Sequence, residues 1–317
     1  MYKRVIQALV FFLLVFLSYN QFSNPYSIEN INTISDIQHT MKEKDPLYSE
    51  LVIKKTAYKI PPQNAVIDKV WKKIPGLNGR VVDVEKSYQK MKKDGVFNKN
   101  LLVFNEVKPS ITLKDLPPAP IYRGNPNKKM VALMVNVSWG TEYIPEILNI
   151  LKEHKVKATF FIDGKWAKNN AKYVEMISEQ GHAIGNHAYN HPDMARLSEQ
   201  EINEQIKLTN DTIEAIIGEE PTFFAPPSGS FTEQVVKVVS DYKMQTILWS
   251  VDTIDWKNPS VSVMMNRVLS KLHPGATILM HPTEAIVRGL DGLIVAIKKD
   301  GYHMGTVKKL LSENRIN

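Results

Sequence analysis

From Met130 onward the sequence alternates short apolar runs with amphipathic stretches, and that alternation restricts the fold more than any other feature of the chain. MVALMVNV (130–137) is apolar at all positions but Asn136, as expected of a strand buried on both faces. EYIPEILNILKEH (142–154) sets Ile144, Ile147, Leu148 and Leu151 on one helical face, and VKATFFID (156–163) reads as a second strand. The pattern repeats through a helix around Tyr173 to Ser178 closed by Gly181, the strand HAIGNH (182–187), and a helix opened by a capping box of Ser198 and Glu201. Further strands are expected in PTFFAP (221–226), MQTILWSVD (244–252) and ATILMHP (276–282), each followed by a helical stretch. Strand and helix in regular alternation imply an α/β domain with a parallel sheet. Without a glycine-rich phosphate fingerprint, a (β/α) barrel fits better than a dinucleotide fold.

The residues before this domain are organised differently. MYKR followed by the apolar run Ala8–Tyr19 has the n-region and h-region of an export signal; no small-residue cleavage site follows, so residues 1–22 are expected to be a signal or uncleaved membrane anchor. Residues 23–45 read as a polar spacer. Residues 46–114 mix short periodic runs with IPP and PGLNG turns and suggest a small α+β domain of no assignable role. The Pro- and Gly-rich residues 115–128 read as a linker, leaving 129–317 for the barrel. The net charge of +7 is concentrated early: residues 1–128 carry 20 Lys and Arg against 11 Asp and Glu, the remainder 20 against 22. A basic front part suits anionic lipid headgroups or acidic wall polymers, and export argues against nucleic acid as a partner. The chain has no cysteine, which excludes disulfides, thiolate metal sites and cysteine nucleophiles.

The chemically interesting side chains fall at the expected C-terminal ends of the strands, where such barrels carry their chemistry. Asn136 ends the first strand, and His187 and His191 follow HAIGNH. Pro226, Pro227 and Gly229 lie in APPSG, Asp252, Asp255 and Trp256 in DTIDW, and His281 ends the last apolar run. Singly each has an ordinary explanation, since histidines four apart arise by chance and a histidine before proline can be a satisfied core residue. Their common placement does not. His182 reads as part of its strand, and Asp163 as a helix cap or a substitute carboxylate ligand.

In this order the motifs resemble those of the polysaccharide deacetylases, the NodB homology domain of carbohydrate esterase family 4, over residues 129–317. The resemblance implies a distorted (β/α) barrel that removes acetyl groups from N-acetylated sugars with one divalent metal, zinc being the expected ion. It implies His187 and His191 as metal ligands, Pro226, Pro227 and Gly229 as one groove wall, Asp252, Asp255 and Trp256 as the other, and His281 as general acid. The family's TFDDG motif, with a catalytic-base and a metal-binding aspartate, here reads VNVSWG: Asn136 stands at the base position, and the metal aspartate aligns with Val137 or is lost around Ser138 and Trp139. Ala225 replaces the family's arginine, which lies against the base carboxylate. The two changes are coupled, because that arginine would be an unpaired buried charge beside an amide.

An amide side chain cannot take a proton near neutral pH, and a lost general base is worth about 10² to 10⁴ in rate. The expectation is therefore an exported deacetylase-like protein that meets cell-wall glycan and, through its N-terminus, the membrane. Its metal-dependent hydrolysis should be weak or absent; the alternative is an inactive member serving as a glycan-binding scaffold or sensor. The oligomeric state has no signature in the sequence.

Overall fold

The computed structural model describes residues 2–21 and 45–316; the spacer expected at 23–45 lies outside them except for Asp45. The chain divides into two compact units, residues 1–59 with 81–105 and residues 60–80 with 106–317.

In the first unit the apolar run lies within the helix Tyr2–Gln21. Val5, Ile6, Leu9 and Phe11 to Leu13 are exposed on it. No helix among the described residues is long and apolar enough to cross a membrane, so the span expected of residues 5–19 finds no support. The physical reason is length: Lys3 and Arg4 precede the run and Asn20 and Gln21 follow it, short of the roughly 20 apolar residues a span needs. A second helix, Pro46–Lys54, starts on Asp45, whose carboxylate accepts the Leu47 and Tyr48 N–H groups. It packs Leu47 and Leu51 against Tyr88 and Met91.

Strands β1 (Val66–Asp68) and β2 (Lys72–Ile74) form an antiparallel hairpin in the second unit, and β3 (Gly79–Val82) and β4 (Phe104–Val107) follow. The main sheet comprises β5 (Met130–Val137), β6 (Thr159–Ile162), β7 (Ala183–Asn186), β8 (Phe223–Phe224), β9 (Gln245–Thr246), β10 (Val251–Asp252), β11 (Thr277–Met280) and β12 (His303–Gly305). Its order is β10-β11-β5-β6-β7-β8-β9 with β12 added against β5, and each pairing is parallel. This is the parallel, curled α/β architecture of a distorted (β/α) barrel.

Strand β5 is buried throughout because its two faces meet different cores. Val131, Leu133, Val135 and Val137 pack outward against helices Ile144–Glu153 and Glu284–Lys299. Met130, Ala132 and Met134 point inward to Phe161, Ala225 and Ile247. The two-residue period of a strand then puts Asn136 on the inner face.

The text read as one strand over 244–252 splits in two. Ile247 N–H still bonds Phe224 O at 2.7 Å, but Leu248 N–H bonds Ile121 O at 2.8 Å and Ser250 N–H bonds Thr277 O at 3.2 Å, so the chain changes partners as it passes. The 115–128 stretch belongs to the second unit. Ile121 N–H bonds Thr246 O at 2.9 Å and Gly124 N–H bonds Gly275 O at 2.7 Å, a strip bonded to β9 on one side and to the lead-in of β11 on the other. Lys128 is buried at its end, its ammonium donating to the Lys309 and Ser312 carbonyls, and burial lowers its pKa to about 8.

Candidate active site

Strand register gathers the site. Val137 pairs with Ile162 and Ile162 with Asn186, so β5, β6 and β7 end level. Met280 pairs with Val135 and Asn186 with Phe224, which brings His281 level with Asn136, and Ala225 level with His187. Around these ends lies a cavity of about 420 Å³ lined by Asn136, Ser138, His187, His191 and His281, with Trp139, Ser228, Trp249, Asp252, Trp256 and Leu279 completing its walls.

His187 is fully buried and its Nδ1 bonds the Ala225 carbonyl at 2.7 Å. A carbonyl only accepts, so Nδ1 carries the proton and Nε2 keeps its lone pair. Burial, then the neighbouring His191 and His281, push its pKa far below the ordinary imidazole value, and the bond to Ala225 offsets only part of this. Burial also lowers His191. The two rings lie 5.2 Å apart between centroids at 71°. The turn that joins them takes left-handed backbone at Ala188 (φ 62°) and His191 (φ 57°), an arrangement costing roughly 1–2 kcal/mol per residue. Gln205 compensates by accepting the Tyr189 and Asn190 N–H groups.

Asn136 is 3% exposed, and both its Oδ1 and the Ser138 Oγ are buried with no hydrogen-bond partner. Val137, the position aligned with the family's metal aspartate, faces the outer core and not the cavity. Asp163 caps the helix Gly164–Asn169 by accepting Trp166 N–H at 2.8 Å, and burial raises its carboxyl to about 6. It does not line the cavity, and among the described residues no three His, Asp or Glu are placed to hold a metal. Beside the histidine pair the cavity offers two neutral oxygens, Asn136 Oδ1 and Ser138 Oγ, donor types that a divalent cation accepts, but no carboxylate is grouped with the pair to neutralise one. His182 stays out of the site: Ala158 N–H donates to its Nδ1 at 3.1 Å, its ring packs edge-on to Phe160, and burial lowers its pKa to about 4.

Asp252 and Trp256 face the cavity as the sequence leads one to expect, whereas Asp255 does not. Its carboxylate, 0% exposed, sits behind His281 and accepts from Thr253 Oγ1 (2.6 Å), Thr283 Oγ1 (2.9 Å), the His281 N–H (3.1 Å) and His281 Nδ1 (3.1 Å). Burial would raise its pKa, but the His281 hydrogen bond and charge, with the two hydroxyls, outweigh burial and lower it. Asp255 thus orients the imidazole and leaves Nε2 to the cavity. Pro226 and Pro227 are buried beneath the wall, which Ser228 completes. A Cβ at Gly229 (φ 69°) would stand 3.0 Å from Trp249 Cη2, so a glycine there lets the indole close that side. Sequence pattern does not mark Trp249, which reads as one more apolar residue of a strand.

A parallel barrel presenting a histidine pair and a carboxylate-backed histidine at one end has the frame of a metal-dependent hydrolase. The polysaccharide deacetylase model matches residues 123–247. The protein YlxY of Bacillus subtilis strain 168 is 49% identical over 317 residues, covering 100% of this chain and 99% of its own. A peptidoglycan-N-acetylglucosamine deacetylase of Bacillus cereus is 36% identical over 199 residues, 61% of this chain and 72% of that protein. A CE4 family pseudoenzyme from Bacillus anthracis is 52% identical, superposes with a TM-score of 0.82, and matches over 86% of this chain and 97% of its own. A mutant of that pseudoenzyme, with restored enzymatic activity, is 51% identical over 85% and 99% with the same TM-score. The chain belongs to the polysaccharide deacetylase family, carbohydrate esterase family 4, as a deacetylase-like member.

Proposed function

We propose that the chain holds N-acetylated cell-wall glycan, peptidoglycan or a related N-acetylglucosamine polymer, in this cavity and hydrolyses it weakly or not at all. The observation that carries the reading is Asn136, a neutral amide with an unpartnered Oδ1 at the base position, beside a retained histidine pair and the His281 imidazole. In this reading His281, positioned by Asp255, is the general acid that protonates the leaving amine. Asp252 and Trp256 form one wall, and Gly229, with Pro226 and Pro227 beneath, shapes the other. His187 and His191 would hold a divalent metal, zinc in this reading, with Asn136 or Ser138 as the neutral donors nearby. A bound divalent ion would supply Lewis acidity toward the acetamide carbonyl and a water of lowered pKa. What the chain lacks is a carboxylate at the base position, a deficit of about 10² to 10⁴ in rate.

The peptidoglycan deacetylases among the relatives support the substrate class, and the Bacillus anthracis pseudoenzyme supports the silent chemistry. Residues 5–19 serve export in this reading, and a soluble form starting near residue 20 would show a cleaved signal. The direct test is acetate release from N-acetylated glycans, with zinc and with cobalt, beside Asn136→Asp. Release near the blank from the wild type and clearly above it from the variant is expected. Equal release from both, clearly above the blank, overturns the weak-hydrolysis reading.

A further inference from the structure

We propose that Trp139 is the platform on which a pyranose ring of the glycan stacks, a binding residue supplied by the 138–140 loop; the proposal rests on the glycan-holding reading above. Trp139 lies in the loop that follows Asn136 and Val137, and its side chain lines the cavity. The indole lies parallel to the His281 ring, with centroids 6.0 Å apart and planes 8° apart. The imidazole is offset along the indole plane and leaves the residue 46% exposed on the cavity wall. A large apolar plane left open beside a cavity is what a ligand with an apolar face would cover.

The loop fixes the indole. Gly140 has φ 75°, and a Cβ there would lie 2.0 Å from the Pro282 carbonyl oxygen, so this turn rests directly on the residue after His281. Trp166 Nε1 donates to Thr141 Oγ1 at 2.9 Å and ties down the next residue. A platform held in place before binding loses little freedom when a ligand arrives.

The surrounding polar groups narrow the ligand class. Stacking covers a face of the imidazole and not its edge, and Asp255 occupies Nδ1, which leaves His281 Nε2 in the ring plane for a ligand. The buried Ser138 Oγ has no partner, and Asp252 lines the same cavity, as does Trp256, 53% exposed. Flat apolar planes with donors and acceptors around them match a neutral pyranose, which has apolar C–H faces and a rim of hydroxyl and acetamide groups.

Calorimetry with the N-acetylglucosamine tetramer tests this on the whole protein, comparing wild type, Trp139→Ala and Trp139→Phe, with thermal unfolding as a check on folding. Trp139→Ala is expected to bind about tenfold more weakly, Trp139→Phe to recover most of that loss, and both to melt with the wild type. Wild-type affinity in Trp139→Ala overturns the platform and leaves the glycan reading intact. So does equal weakening in both variants together with lowered melting, which makes the residue structural. A wild type that binds no tetramer at millimolar concentration overturns the glycan-holding reading itself.

Discussion

The Asp255 carboxylate grips His281 twice, Oδ1 to the ring Nδ1 and Oδ2 to the backbone N–H, both at 3.1 Å. With Thr253 and Thr283 also donating, the carboxylate is a buried hub whose removal strands several donors at once. Asp255→Ala should lower the unfolding free energy by about 3 kcal/mol, with Asp255→Asn milder because an amide oxygen still accepts. Urea titrations of the three proteins measure this. The folded pKa is depressed, so the stabilisation is present above the unfolded value near ~3.9 and lost as pH falls through the folded one. The acid limb of the stability profile should therefore flatten in the variants.

His182 makes a second pH prediction with a different window. Its Nδ1 accepts the Ala158 N–H, a bond that protonation abolishes, and its folded pKa is lowered to about 4 from 6.5. Between those values the unfolded chain binds the extra proton, so stability rises with pH across the window and is complete above it. Replacing His182 with Gln, which keeps an acceptor and cannot titrate, should remove roughly 3 kcal/mol of stability change between pH 4 and 7. An unchanged slope would assign the dependence to His187 or elsewhere.

What the sequence discloses here follows from how local each signal is. Strand β5 is legible to the residue because both faces are buried and the apolar text is unbroken. The Ser198 and Glu201 capping box is equally legible, since its two partners lie three residues apart. The 244–252 run hides a change of partners, because Ile121 and Thr277, which receive its N–H groups, are distant in sequence. The same holds within the site. The His187 and His191 spacing is local and visible, whereas the turn of Asp255 away from the groove depends on Thr283 and His281, more than twenty residues on. Trp139 stacking on His281 depends on the Pro282 carbonyl meeting Gly140, which no local pattern encodes.

The histidine pair predicts weak zinc binding. Nδ1 of His187 is committed to Ala225, leaving one lone pair for an ion, and no carboxylate joins the pair among the described residues. Calorimetry should find zinc bound by the wild type and lost in His187→Ala and His191→Ala, with melting curves to separate binding from folding. Equal uptake by wild type and both variants would remove the pair from consideration as a site.

The last prediction joins Asn136 to Ala225. Ala225 is 0% exposed and packed with Phe161, Met134 and Ile247. Ala225→Arg alone therefore forces a long charged side chain into apolar surroundings, costs about 1–3 kcal/mol from overpacking before any charge penalty, and restores no activity. Asn136→Asp alone sets a carboxylate on the cavity wall, where it can take a proton. Acetate release should rise within the roughly 10² to 10⁴ range of a general base, less where the neutral metal donors limit the step. In the double variant the guanidinium favours the ionised carboxylate and orients it, while the carboxylate compensates the buried charge. The gain should exceed the product of the single gains, and the stability loss should be smaller than the sum of the single losses. Rates and unfolding free energies of the four proteins close both cycles. Strict additivity in both would mean that the two positions do not meet, and that the loss of arginine at 225 followed from packing alone.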